Sequence, residues 1–127
     1  MQDNFSKILK KEDIYLKLFE PFSQVSIDFL LEFSKELKKN KKIYTYPNLI
    51  YLMMWCNKKK IENFKNNFRD DELRLGRGLV FHICPSNVPT NFIYSFFIGL
   101  LSGNSNIVKI PSKNFEEKNI IISTIKK

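Results

Sequence analysis

Apolar positions recur at helical spacing through the first half of the chain, then run together in short blocks through the second half. Phe5 to Phe19 forms a weakly amphipathic segment that Pro21 stops. Ser23 or Ser26 then caps a helix in which Phe29, Leu30, Phe33 and Leu37 line one side and lysines close the polar end. Thr45-Tyr46-Pro47 opens a third helix, since proline suits a first turn. Its stripe is Leu49, Leu52, Met53 and Cys56, and Ile61, Phe64 and Phe68 extend it after a break near Asn57.

The pattern changes after Arg69-Asp70-Asp71-Glu72. Gly76-Arg77-Gly78 reads as a turn, because it precedes a strand and lacks the third glycine of a dinucleotide fingerprint. Leu79 to Cys84 is a continuous apolar run, the signature of a strand covered on both faces, as in a parallel sheet. Thr90 caps a helix whose Phe92, Ile93, Phe96, Phe97, Leu100 and Leu101 occupy most of its circumference. Gly99 inside that helix costs up to about 1 kcal/mol against alanine, which predicts close packing on the sheet. Gly103 is the expected left-handed residue after the helix. Asn106 to Ile110 is a second strand, ended by Pro111, and Asn114 with Glu117 opens a last helix faced by Ile121, Ile122 and Ile125.

A strand, a helix and a strand within little more than thirty residues make a right-handed parallel crossover. The fold class is therefore α/β. A mainly helical region, 1–70, precedes the start of a nucleotide-binding α/β domain, 71–127. Two strands leave two sheet edges uncovered, so the chain reads as the truncated beginning of a larger α/β protein.

Composition narrows the function classes. A net charge of +8 raises nucleic acid or an anionic surface as partners. Arginine, however, occurs only at Arg69, Arg74 and Arg77, and lysines gather at helix ends, as solvated faces do. Cys56 and Cys84 supply neither a disulfide framework nor a metal-ligand cluster. The longest apolar stretch, Phe92 to Leu101, is about half the ~20 residues a membrane span needs. With no signal peptide at the start, the expectation is a soluble cytoplasmic protein without a nucleic-acid partner. The competing reading is a non-enzymatic basic helical module that binds an acidic partner or nucleic acid.

Ligands of open α/β sheets bind at the carboxyl ends of the strands, and two polar residues fall there. Asn87 lies between Pro85 and Pro89, in a loop stiffened by those prolines. Its amide suits an oxyanion donor, or equally an ordinary turn bonded to its own backbone, which is the commoner use of asparagine. Lys109 suits a nucleotide phosphate or ribose, or is a solvated strand end. His82 reads as a buried, hydrogen-bonded histidine before it reads as a base, and Cys84 as a small buried cysteine before a nucleophile.

The segments Cys84-Pro85-Ser86-Asn87-Val88-Pro89, Ser102-Gly103-Asn104 and Val108-Lys109 resemble the aldehyde dehydrogenase superfamily. Within it, Arg77 to Ile83 and Leu100 to Val108 are most similar to the lux-type long-chain acyl-CoA reductases, over residues 76–113 and less closely over 44–75. The resemblance implies a Rossmann-type cofactor domain. It also implies reduction of a fatty acyl thioester, on CoA or a carrier protein, to a fatty aldehyde through a cysteine thioester, with NADPH as cofactor. In luminescence such an enzyme works with an acyl-protein synthetase and an acyltransferase, and the intact enzyme is expected to be a homo-oligomer. Asn87 takes the oxyanion role. Lys109, Ser112, Pro85 and Ser86 take cofactor-binding roles, with Ser112 replacing a glutamate that would repel a 2′-phosphate. Ser86 departs from the superfamily's tryptophan, and proline follows Lys109 by two residues instead of one. Neither Cys56 nor Cys84 occupies the nucleophile position, so the chain by itself is expected to be inactive.

Overall fold

A computed structural model describes residues 18–68 and 72–127. The expected Phe5–Phe19 helix lies almost wholly outside the described residues, and Leu18 to Glu20 are not helical. Five helices and two strands follow in the order α1 (Gln24–Lys39), α2 (Pro47–Trp55), α3 (Lys58–Asn67), β1 (Leu79–Ile83), α4 (Asn91–Leu101), β2 (Ser105–Lys109) and α5 (Glu116–Ile125). A short 3-10 turn, Lys41–Thr45, joins α1 to α2.

Local chemistry sets the helix ends. The Ser23 hydroxyl accepts from the Ser26 amide at the start of α1, while Lys38 and Lys39 occupy its last turn, where the dipole favours cations. Pro47 is the first residue of α2. Asn57 breaks the stripe as expected: its side chain accepts from the Lys60 amide and starts α3. Thr90 precedes α4 without a side-chain cap, because its backbone is itself near-helical. The last helix starts later than Asn114 and Glu117 suggest. Phe115 is its N-cap, Asn114 accepts from Asn119, and Glu117 is drawn away to Asn48. Its buried side is accordingly Ile120, Ile121 and Thr124, with Ile125 exposed.

One hydrophobic cluster runs from Leu30, Phe33 and Leu37 of α1 through Leu49, Leu52, Cys56 and Ile61 to Phe92, Ile93, Phe97, Leu101 and Ile121. Phe97 is at its centre. Its ring meets Phe33 edge-on at 5.0 Å and stacks on Trp55 at 6.3 Å. Such pairs add about 0.5–1.5 kcal/mol beyond their buried area. Phe68, expected in the stripe, is instead 46% exposed and rests on the Phe22 ring at 5.5 Å.

The two strands pair in parallel, with Leu79 opposite Ser105 and Ile83 opposite Lys109. The second strand is therefore one residue earlier than its apolar run suggests. The expectation of a strand covered on both faces is corrected here. Helix α4 covers the face that carries His82, but Leu79, Phe81 and Ile83 are exposed on the other. The described helices lie on one side of a sheet of only two strands.

Where α4 meets the sheet, Gly99 is the contact. A Cβ at 99 would overlap Asn106 Oδ1 and lie 2.9 Å from His82 Nε2. The space it leaves holds a hydrogen bond of 2.8 Å between His82 Nε2 and Asn106 Oδ1. Gly76 and Gly103 serve a second close approach, backbone to backbone. Phe19 donates to Gly103 O at 3.0 Å, Gly76 donates to Phe19 O at 3.0 Å, and Gly103 has φ +81°. These contacts fasten the lead-in to α1 onto the turn between α4 and β2.

Gly99→Ala should reveal which force dominates. Helix propensity alone would stabilise by up to about 1 kcal/mol. Overpacking against His82 and Asn106 should outweigh that and leave a net loss of about 1–3 kcal/mol in urea unfolding. A variant as stable as its parent would mean that α4 lifts freely from the sheet.

Candidate functional site

The carboxyl ends of β1 and β2 lie side by side, because Ile83 pairs with Lys109. The loop Cys84–Thr90 leaves β1 at this edge, and the turn Ile110–Phe115 leaves β2 there. Five residues singled out from sequence therefore gather at one end of the sheet: Pro85, Ser86 and Asn87 on the first loop, Lys109 and Ser112 on the second. All five are exposed. Asn87 makes no hydrogen bond among the described residues, so the backbone-bonded turn reading does not describe it. Its amide is available to a ligand.

The second turn is held more firmly than its sequence suggests. The Lys118 ammonium, in the first turn of α5, donates to the carbonyls of Pro111 at 3.2 Å and Lys113 at 2.8 Å. A cation at a helix N-terminus opposes the dipole by roughly 0.3–1 kcal/mol. Charge-assisted bonds, about 1.5–3 kcal/mol each, outweigh that. Lys113 lies over the Phe115 ring at 5.1 Å. The acids of that helical turn are engaged elsewhere: Glu116 pairs with Lys42 at 2.9 Å, and Glu117 accepts from Asn48. The Glu116 hydrogen bond raises the pKa of the Lys42 ammonium. Lysine-rich spacing alone could not single out Lys118. The signal available was a lysine seven residues beyond a proline that ends a strand.

His82 does not join this edge. It is buried under α4, with Nδ1 2.7 Å from Ser95 Oγ and Nε2 2.8 Å from Asn106 Oδ1. Asn106 donates through Nδ2 to Asn104 O at 2.7 Å, which directs its oxygen at the histidine. His82 therefore donates from Nε2, while Nδ1 shares its hydrogen bond with the Ser95 hydroxyl. Asn104 Oδ1 in turn accepts from the Arg77 amide at 2.6 Å and the Gly78 amide at 3.3 Å. This chain of polar groups pins α4 to both strands. It bears out the buried, hydrogen-bonded reading of His82.

The cysteines occupy different settings. Cys56 is fully buried in the helical core, where desolvation pushes its thiol up to about 12. That environment suppresses the thiolate a nucleophile requires. Cys84 is half-buried at the strand end, on the loop that carries Asn87.

A family model described as acyl-CoA reductase (LuxC) matches residues 56–127, which include both strands, α4, the two loops and α5. The chain belongs to the acyl-CoA reductase (LuxC) family. No curated protein and no solved structure matches it. The matched LuxC region begins at Cys56, so α1 and the whole of α2 lie outside it while still contributing to the shared core. Among the described residues, no helix is long and apolar enough to cross a membrane.

The buried thiol makes a prediction. The Cys56 thiol ionises near 9 when unfolded and about 12 when folded. Its contribution is thus complete below pH 9 and declines as pH rises toward 12, by about 1.4 kcal/mol per pH unit. Thiol-labelling reagent at pH 8 should modify Cys84 quickly and Cys56 only in denaturant. Equal labelling rates in the native protein would contradict the burial of Cys56.

Proposed function

We infer that this chain contributes the cofactor edge and oxyanion donor of an NADPH-dependent reductase that converts a long-chain fatty acyl thioester to a fatty aldehyde. One observation supports this above the others. Within a region matched by an acyl-CoA reductase family, Asn87 and Lys109 occupy the carboxyl ends of adjacent parallel strands, and Asn87 is free of internal partners. That edge is where α/β sheets receive nucleotides.

The donor set fits a phosphorylated nucleotide. Lys109 offers a positive charge, Ser112 a hydroxyl, and Pro85 and Ser86 a neutral loop opposite them. Ser112 carries no charge that would repel a 2′-phosphate. The nicotinamide cofactor supplies the hydride. In the acyl transfer that precedes reduction, a cysteine sulfur forms the new thioester and the CoA or carrier thiol departs. Before that thiol departs, negative charge collects on the carbonyl oxygen, and the Asn87 amide N–H groups donate to it. A preorganised donor of this kind is worth about 10²–10³ in rate.

The nucleophile of this reading is neither cysteine of the chain. Cys56 is sealed in the core with a raised pKa, and Cys84 is three residues from Asn87 on the same loop. The Rossmann-type extension of the two-stranded sheet, the division into 1–70 and 71–127, oligomeric assembly, partnership with acyl-protein synthetase and acyltransferase subunits, and a cytoplasmic setting belong to the same proposal. They rest on the family and on the resemblance in residues 76–113.

The purified 127-residue chain should bind NADPH, followed by nicotinamide fluorescence, without oxidising it when a long-chain acyl-CoA is added. Lys109→Met should weaken that binding about tenfold, equivalent to 1.4 kcal/mol. Binding indifferent to Lys109→Met would remove the cofactor role, and steady NADPH oxidation by the chain alone would overturn the assignment of the nucleophile.

A further inference from the structure

The clamp formed by Lys118 has a geometric consequence for the cofactor edge. Its ammonium gathers two carbonyls, those of Pro111 and Lys113, that flank Ser112 on either side. Each carbonyl shares a peptide plane with the next amide. Among the described residues there is no cis peptide, and in a trans peptide C=O and N–H point in opposite directions. Holding the two carbonyls toward Lys118 therefore turns the N–H groups of Ser112 and Asn114 away from it. Neither amide has a backbone hydrogen-bond partner among the described residues. Ser112 itself is exposed, whereas Pro111 is buried and anchors the turn from beneath.

Two further contacts hold the same turn. Asn119 Nδ2 donates to Asn114 Oδ1 at 3.2 Å, and the Lys113 ammonium lies over Phe115. Lys118 differs from these in touching the main chain on both sides of Ser112. Lysine is suited to this task because its three donors rotate freely on a long stem and need no planar match. It has no acceptor capacity, so its hydrogen bonds can only draw carbonyls inward.

We propose that Lys118 is a positioning residue of the cofactor edge. It does not touch the nucleotide. It fixes the Pro111–Asn114 turn so that the Ser112 hydroxyl and the outward Ser112 and Asn114 amides face a phosphate on the adenosine part of the cofactor, beside Lys109. This rests on the cofactor reading above and adds to it the residue that shapes the turn.

The test uses the 127-residue chain, labelled with ¹⁵N, and two variants: Lys118→Met, which keeps the stem and loses the donors, and Lys118→Arg, which restores them. The first readout needs no ligand. Lys118→Met should shift and broaden the amide signals of Ser112 and Asn114 while those of α1 and α2 stay in place, and Lys118→Arg should return them toward the parent positions. If the turn amides are unmoved in Lys118→Met, the clamp is refuted whatever the cofactor. If methionine unfolds the chain, Lys118→Ala, which also removes the donors, takes its place, and unmoved turn amides in that variant refute the clamp equally.

The second readout is titration with adenosine 2′,5′-bisphosphate and, separately, adenosine 5′-monophosphate. The bisphosphate should perturb Ser112 and Asn114 in the parent, and its Kd should rise about tenfold in Lys118→Met, equivalent to 1.4 kcal/mol. The monophosphate should show a smaller difference between parent and variant. Tight bisphosphate binding that ignores Lys118→Met would overturn the positioning role and leave the cofactor reading standing. No binding of either nucleotide by the parent would overturn the cofactor reading itself, and the proposal with it.

Discussion

Helix α4 approaches the two strands at a distance set by Gly99, where a methyl group would overlap the amide oxygen of Asn106. That gap admits the hydrogen bond between His82 and Asn106, and with it the run of polar groups from Ser95 to the Arg77 amide. A buried polar group without a partner costs about 1–3 kcal/mol, so the network is favourable only while it is complete. Among the described residues no buried side-chain polar atom lacks a partner. The candidate edge depends on this arrangement. The loop carrying Asn87 enters α4, and the turn carrying Ser112 leaves the strand that Asn106 helps fasten. Moving α4 by the width of a methyl group would move Asn87 relative to Lys109.

Much of the fold was legible in the chain because its signals are local. Ser23, Pro47 and Asn57 start helices by satisfying or sparing the first amide groups, a decision made within one turn. Gly99 and Gly103 were legible for the same reason, since a glycine in a helix and one just after it have few uses. What failed depended on distant neighbours. Asn114 and Glu117 make a good capping pair until Asn119 and Asn48 compete for their side chains. The run Leu79 to Ile83 has the composition of a doubly covered strand, yet coverage is decided by elements elsewhere in the molecule. Phe68 fits the helical stripe by spacing, but its stripe ends where α3 does.

The candidate site was legible to a different degree. Strand ends are readable, and so were Asn87 and Lys109 as residues located there. Their neighbourhood was not, because it is made by backbone carbonyls that a sequence does not mark. Lys118 appears in the chain as one lysine among many. Only the fold distinguishes an ammonium that holds a turn from one that is dissolved in water, as at Lys59 and Lys60. Membership of the acyl-CoA reductase family adds the reaction class, and the geometry narrows which atoms of this chain can serve it.

The contacts that seat α1 join residues 19–26 to residues 100–103. Phe19 and Phe22 donate to Gly103 and Leu101, and the Ser26 hydroxyl donates to Leu100 O at 3.1 Å. None of these partners exists when α1 first emerges during synthesis. At about 5–20 residues per second, the intervening residues take on the order of ten seconds to appear. For that interval Leu30 and Phe33 have no finished surface to cover them. The order of translation thus runs against the order of docking, and α1 is the described helix that has longest to wait before its place is made.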